Sequence, residues 1–220
     1  MNQFTTVVFD CDGTLLDSLT DLKNSMNHVL AAHGYPERTH DEIRRFVGNG
    51  LGKLVERSAP ATLTDAERAV LLDDLKAYYA EHWQDATAPY DGIYDLLEGL
   101  KVAGYKVAMV SNKIQEGVTA LNDRFFKDFI PVAVGEINGI PRKPAPDMVW
   151  AALKELGSTK EEAVYVGDSE VDLQTAVNSE LLPISVTWGF RDEDLLKEHG
   201  ATHFAHKPMD VLTILTELNK

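Results

Sequence analysis

Cysteine is nearly missing from this chain: Cys11 is the one thiol in 220 residues. That rules out an intrachain disulfide framework and a cysteine-rich zinc site. Positive charge is also short. Lys and Arg number 21 against 35 Asp and Glu, a formal net charge of −14. Such a surface repels DNA, RNA and anionic lipid, so neither a nucleic-acid nor a membrane partner is expected. No apolar run is long enough to cross a bilayer, and Asp10 interrupts the one N-terminal apolar stretch. With no leader pattern before it, a cytoplasmic protein is the expectation. Histidines number seven, and none falls at a convincing metal-ligand spacing; His199, His203 and His206 lie close in sequence but far from the acidic motifs.

What is present is ordinary in amount and ordered in pattern. Apolar residues make up 44% and charged residues 25%, as in a soluble globular domain. Short Val/Ile-rich runs recur: TTVVFD, KVAMVS, IPVAVG, AVYVGD and LPISVTW. Runs of this kind read as strands buried on both faces of a parallel sheet. Helical stretches lie between most of them. Ile93, Leu96, Leu97 and Leu100 form one stripe that stops at Gly104, and Pro144 to Leu156 opens on proline and closes on Gly157. Alternating strands and helices predict a doubly wound α/β sheet with right-handed crossovers.

From about Ser18 to Trp83 the pattern is helical only. Ser18-x-x-Asp21 reads as a capping box ahead of a stripe of Leu19, Leu22, Met26, Val29 and Leu30. Thr64-x-x-Glu67 opens a second long helix with Leu71, Leu72, Leu75, Tyr78, Tyr79 and His82 on its apolar side. A block this large exceeds one crossover, so a separate helical lobe is expected after the first strand. The predicted organisation is an α/β core of residues 1–16 and 86–220 with an inserted all-helical lobe over 17–85.

Ligands of open α/β sheets bind beyond the carboxyl ends of the strands. The first strand ends in Asp10 and Asp12, the second in Ser111-Asn112-Lys113, and the fourth in GDSEVD with Asp168 and Asp172; Arg142-Lys143-Pro144 follows the third. Four carboxylates, a hydroxyl and a lysine would meet at one edge. A helix starting just after Gly167 would place Asp168 and Asp172 one turn apart on one face, with Glu170 turned away. Crowded carboxylates call for a hard divalent cation, and Mg²⁺ suits oxygen ligands.

DCDGT, VSNK, the lysine of RKPAPD and GDSEVD, in that order, resemble the four motifs of the haloacid dehalogenase superfamily. The D-x-D form is that of its phosphatases, and VGNG resembles its phosphoglycolate phosphatase branch. The resemblance covers the whole chain and implies a Rossmann-like core with a helical C1-type cap. It also implies roles. Asp10 is the nucleophile that forms an aspartyl-phosphate, and Asp12 is the general acid and then base. Gly13, Ser111 and Asn112 hold phosphate oxygens, and Lys143 neutralises the phosphate and positions Asp10. Mg²⁺ is held by Asp10, the Asp12 carbonyl and Asp168, with Asp172 as a ligand or as a support through water or Lys143.

GNGLGK, residues 48–53, fails the phosphate-loop pattern because Val47 and Leu54 stand where Gly and Ser or Thr belong. It reads as a flexible turn between cap helices; the resemblance implies that its amides reach a substrate, with Asn49, Gly50, Lys53 and Arg45 as candidate contacts. Cys11 should pack as a small apolar residue. The expected partner is a small phosphorylated metabolite, 2-phosphoglycolate before others, and the sequence leaves oligomeric state open. Alternatives on the same scaffold are an inorganic pyrophosphatase, a broad sugar-phosphate phosphatase or a β-phosphoglucomutase-like isomerase. A receiver-like phosphoacceptor would not place an acid/base two residues from its phospho-aspartate, and a dehalogenase has no use for Asp12.

Overall fold

The computed structural model describes residues 4–220. The chain runs β1 (Thr6–Phe9), β2 (Leu16–Asp17), α1 (Leu19–Ala32), α2 (His40–Phe46), α3 (Leu51–Ser58), α4 (Asp65–His82), β3 (Ala88–Pro89) and α5 (Ile93–Val102). It continues with β4 (Lys106–Ile114), α6 (Gln115–Phe125), β5 (Val132–Glu136), α7 (Asp147–Leu156), β6 (Ala163–Gly167), α8 (Glu170–Ser179), β7 (Leu182–Val186), α9 (Glu193–Glu198), β8 (Phe204–Ala205) and α10 (Pro208–Leu218). By contacts the chain divides into two compact units, Met1–Leu15 with Pro89–Lys220, and Leu16–Ala88.

The larger unit is a parallel six-stranded sheet in the order β5-β4-β1-β6-β7-β8. All five Val/Ile-rich runs are strands, because a strand covered on both faces needs apolar side chains at every position. One sheet face shows this directly: Val8, Ala108, Val110 and Tyr165 share a buried cluster with Met148, Val149, Ala152 and Leu153 of α7 and Ala176 of α8. β1 lies between β4 and β6, with Phe9 opposite Met109 on one side and Val166 on the other. The chain winds outward from β1 in one direction through β4 and β5, then in the other through β6, β7 and β8. That reversal opens a crevice at the carboxyl end of β1.

The smaller unit holds α1 to α4. The α1 stripe of Leu19, Leu22, Met26, Val29 and Leu30 is buried, as are Leu71, Leu75 and Tyr79 of α4. The Thr64/Glu67 capping box forms as its spacing indicates. The Ser18/Asp21 box does not. Ser18 occupies the N-cap without a side-chain capping bond. Asp21 is buried and accepts instead from the backbone of Ala86 and Thr87 and from the Thr87 hydroxyl at 2.7 Å. A buried carboxylate takes the most numerous donors on offer, and a chain segment 65 residues away outbids one helical N–H.

Two boundaries differ from the sequence pattern. α7 begins at Asp147, not at Pro144. The segment before it turns through an Ala145 N–H to Arg142 carbonyl bond, and Pro146 disfavours a helical conformation at Ala145. α8 begins at Glu170, with Ser169 rather than Gly167 preceding it as N-cap.

Candidate functional site

β1 delivers its last residue to the centre of the crevice. The Asp10 N–H still bonds the Val166 carbonyl of β6 at 2.9 Å, so the sheet fixes its backbone. The next residues leave the sheet in a tight turn closed by Leu15 N–H on the Cys11 carbonyl at 2.9 Å. Gly13 sits in that turn at φ +88°, and a Cβ there would run into the Asp168 carboxylate. Glycine is required both by the left-handed backbone and by the approach of a charged side chain. Cys11 is fully buried as a free thiol, and burial pushes it well above the usual range, ahead of the nearby Asp12 charge.

Among the described residues, Asp10, Asp168 and Asp172 bring carboxylate oxygens within 4.8 Å of one another, all three buried. Asp168 and Asp172 converge differently from the one-turn spacing expected of them. Asp168 lies in the loop that ends β6, before the helix, and Asp172 is the third residue of α8. Ser169 turns Asp172 back: its N–H and hydroxyl donate to Asp172 Oδ2 at 3.1 and 2.6 Å in a capping box. The Asp12 carboxylate stands apart from the trio and pairs with Lys113 at 3.5 Å. Glu170 joins neither group and pairs with Arg191 at 2.8 Å.

Lys143 enters this cluster almost wholly buried, 2.7 Å from Asp10 Oδ1 and 2.8 Å from Asp172 Oδ1. Its ammonium also donates to the Tyr165 hydroxyl at 3.1 Å, which donates on to Asp172 at 3.2 Å. Burial alone would depress Lys143, but the Asp10 and Asp172 charges outweigh it and hold the ammonium well above its usual range. Asp10 goes the other way for a carboxyl. Burial, then Asp172, push it well up, and Lys143 offsets only part. Asp168 rises to about 7 through burial and then Asp172, against the Phe190 amide, Arg191 and Lys143. One ammonium among three buried carboxylates leaves the site short of positive charge.

The other sequence candidates fall as follows. Ser111 is buried within β4, which runs on through Ile114, so it caps no helix; it accepts from Lys113 N–H at 3.2 Å. The Asn112 side chain donates to the Lys143 carbonyl at 3.1 Å and so ties the end of β4 to the lysine loop. In the smaller unit, Gly50 at φ 82° precedes α3 as its N-cap. Asn49 accepts from Arg57 at 2.9 Å, and Lys53 pairs with Glu56 at 2.6 Å. Arg45 is exposed in the last turn of α2.

Sequence reasoning missed Tyr165, Ser169 and the Trp188–Arg191 loop. A hydroxyl inside an otherwise apolar strand run and the S-x-x-D pattern after Asp168 are local signals for the first two. The loop has none: the Phe190 N–H reaches Asp168 Oδ2 at 2.6 Å from 22 residues away.

Residues 7–186 match the haloacid dehalogenase-like hydrolase family. A phosphoglycolate phosphatase of Caulobacter vibrioides is 33% identical over 96% of this chain and 92% of its own. The pyrophosphatase PpaX of Listeria monocytogenes is 30% identical over 98% of both. A crystal structure of a Lactobacillus delbrueckii subsp. bulgaricus protein described as a phosphoglycolate phosphatase has a TM-score of 0.92 at 36% identity, covering 97% of this chain and 98% of that one.

Proposed function

The chain belongs to the haloacid dehalogenase-like hydrolases and is a phosphatase, and on that premise we propose that it hydrolyses a small phosphate monoester, 2-phosphoglycolate before others, with Mg²⁺ and through a phosphorylated Asp10. The observation that carries this reading is the buried trio of Asp10, Asp168 and Asp172 around Lys143 at the carboxyl end of β1. Hard oxygen donors crowded to within 4.8 Å suit a magnesium ion. Asp10, Asp168 and the Asp12 carbonyl would hold it. Both Asp172 oxygens are already engaged by Lys143, Tyr165 and Ser169, which favours Asp172 as a support over Asp172 as a ligand. When bound, the ion supplies positive charge against the carboxylates and the phosphoryl oxygens.

The residues divide the chemistry between them. Lys143 and the Cys11 N–H both donate to Asp10 Oδ1, which orients the carboxylate and leaves Oδ2 to attack phosphorus. Asp12 protonates the leaving alcohol as its bond to phosphorus breaks. It then takes the proton from the water that releases phosphate from Asp10. The Ser111 hydroxyl and the amides of Gly13 and Asn112 receive phosphoryl oxygens, where each well-placed donor contributes about 3 kcal/mol to the transition state. In the helical lobe, the proposed cap, Arg45 is the stronger candidate for a substrate carboxylate, because Lys53 already has Glu56 as its partner. Asn49 and Gly50 would present the loop. The Caulobacter relative supports phosphoglycolate; the Listeria relatives favour pyrophosphate as the second reading.

A panel of phosphoglycolate, pyrophosphate, β-glucose-1-phosphate and nucleotides ranked by kcat/KM tests the substrate. Phosphoglycolate is expected to lead. A flat ranking overturns that assignment and leaves the phosphatase. p-Nitrophenyl phosphate turnover that survives EDTA overturns the magnesium requirement.

A further inference from the structure

The loop between β7 and α9 lies outside all four acidic motifs, yet it touches two of the segments that build the site. The Trp188 indole N–H donates to the Thr14 carbonyl at 2.9 Å, and the Phe190 N–H to Asp168 Oδ2 at 2.6 Å. Gly189 stands between them, so close that a Cβ there would collide with the Gly13 carbonyl oxygen and the Asp168 side chain. Arg191 then leaves the loop almost wholly buried and forks onto Glu170, Nε to Oε2 at 2.8 Å and Nη2 to Oε1 at 3.4 Å. Glu170 is the first residue of α8. Burial pushes its carboxyl up, but the Arg191 bond and charge outweigh that and hold it below the usual range.

These contacts share one consequence. Asp168 has no neighbour on its own loop that fixes its carboxylate, whereas Asp172 has Ser169 and Asp10 has the Cys11 amide. Among the described residues its carboxylate accepts one hydrogen bond, from a backbone N–H of a distant segment, and Arg191 and Lys143 act on it through charge. That segment is held at one end by the indole and at the other by the Arg191–Glu170 fork. We propose that Trp188–Arg191 is a clamp for the metal ligand Asp168, and that Arg191 and Glu170 are positioning residues that act through it. The clamp rests on the reading of Asp168 as a magnesium ligand. It explains why a paired carboxylate sits beside the acidic trio without joining it: Glu170 closes the fork on the cation that anchors the loop.

The test compares the parent chain with Arg191→Met, Glu170→Gln and the double variant. Magnesium uptake is measured by calorimetry, and p-nitrophenyl phosphate turnover is measured across magnesium concentrations. Outer partners of metal ligands commonly set affinity by about 10- to 100-fold. Each single variant is therefore expected to bind magnesium at least about tenfold more weakly, with kcat at saturating magnesium within about twofold of the parent. The double variant should be no weaker than the weaker single, because both break one fork. Arg191→Lys, which keeps the charge and loses the fork, should fall between. Parent-like magnesium affinity in both singles overturns the clamp, and so does a kcat loss that saturating magnesium does not restore. Should Arg191→Met fail to fold, the isosteric Glu170→Gln decides. If the parent itself takes up no magnesium, the metal reading fails separately, and hydrogen exchange at the Phe190 amide judges the clamp. Faster exchange in Glu170→Gln upholds it; unchanged exchange overturns it.

Discussion

Replacing Lys143 by Met tests how the site holds three acids together. Met keeps an unbranched chain of similar length and removes the charge. The ammonium lies 2.7 and 2.8 Å from Asp10 and Asp172 with its side chain 3% exposed. At those distances and an effective dielectric of 20, each attraction is about 6 kcal/mol before desolvation is charged against it. Desolvation of the ammonium removes much of that gain, so the pair itself adds little net stability. Truncation is another matter, since it leaves two buried carboxylates facing each other with nothing between them. Breaking a buried pair in this way costs about 3–5 kcal/mol. At about 2–4 °C per kcal/mol for a chain of this size, the metal-free variant should melt roughly 6–20 °C below the parent at pH 8. Lowering the pH should narrow the gap, because Asp10, pushed well up by burial and then by Asp172, is the carboxyl poised to take a proton and end the repulsion. Magnesium should narrow it at pH 8 by supplying the missing charge. Turnover should stay low in all cases, since the ion does not replace the hydrogen bond on Asp10 Oδ1. The assay is thermal unfolding in EDTA and in magnesium at matched ionic strength. A variant that melts with the parent at pH 8 in EDTA would refute the reasoning, because the carboxylates would then not depend on Lys143.

The same electrostatics predict a pH slope in the parent. Asp168 is raised from 3.8 to about 7, so between those values the folded chain keeps a proton that the unfolded chain releases, and metal-free stability falls as pH rises from about 4 to about 7. Three units amount to about 4 kcal/mol; denaturant melts in EDTA should show the fall, Asp168→Asn should reduce it, and an unchanged slope in that variant contradicts the assignment. Asp10→Asn should abolish turnover of every ester while the protein still folds, as judged by circular dichroism, and should raise the EDTA melting temperature by relieving repulsion. Full activity in that variant removes the phosphorylated intermediate.

The legible parts were those whose cause is local. TTVVFD and AVYVGD announced themselves as strands because a strand covered on both faces must be apolar throughout, and their terminal aspartates marked the crevice because a strand's end is visible in sequence. Thr64 and Glu67 were legible for the same reason: a capping box needs only its own four residues. Ser18 and Asp21 carry nearly the same pattern and fail it, since the donors that Asp21 accepts arrive from Ala86 and Thr87. The sequence pattern sets the start of α8 two residues early because a helix boundary depends on which residue caps it, and here Ser169 does so through Asp172.

Composition and spacing alone therefore determined the α/β class, the helical insertion and the acidic residues at the strand ends. These follow from periodicity and from the order of motifs along the chain. Only the folded structure decided how the charges are shared: Lys143 between Asp10 and Asp172, Asp12 with Lys113, Glu170 with Arg191, and Asp168 with the Phe190 amide. A buried carboxylate bonds to whatever donors packing brings within about 3 Å, and that neighbourhood is set by segments far apart in the chain.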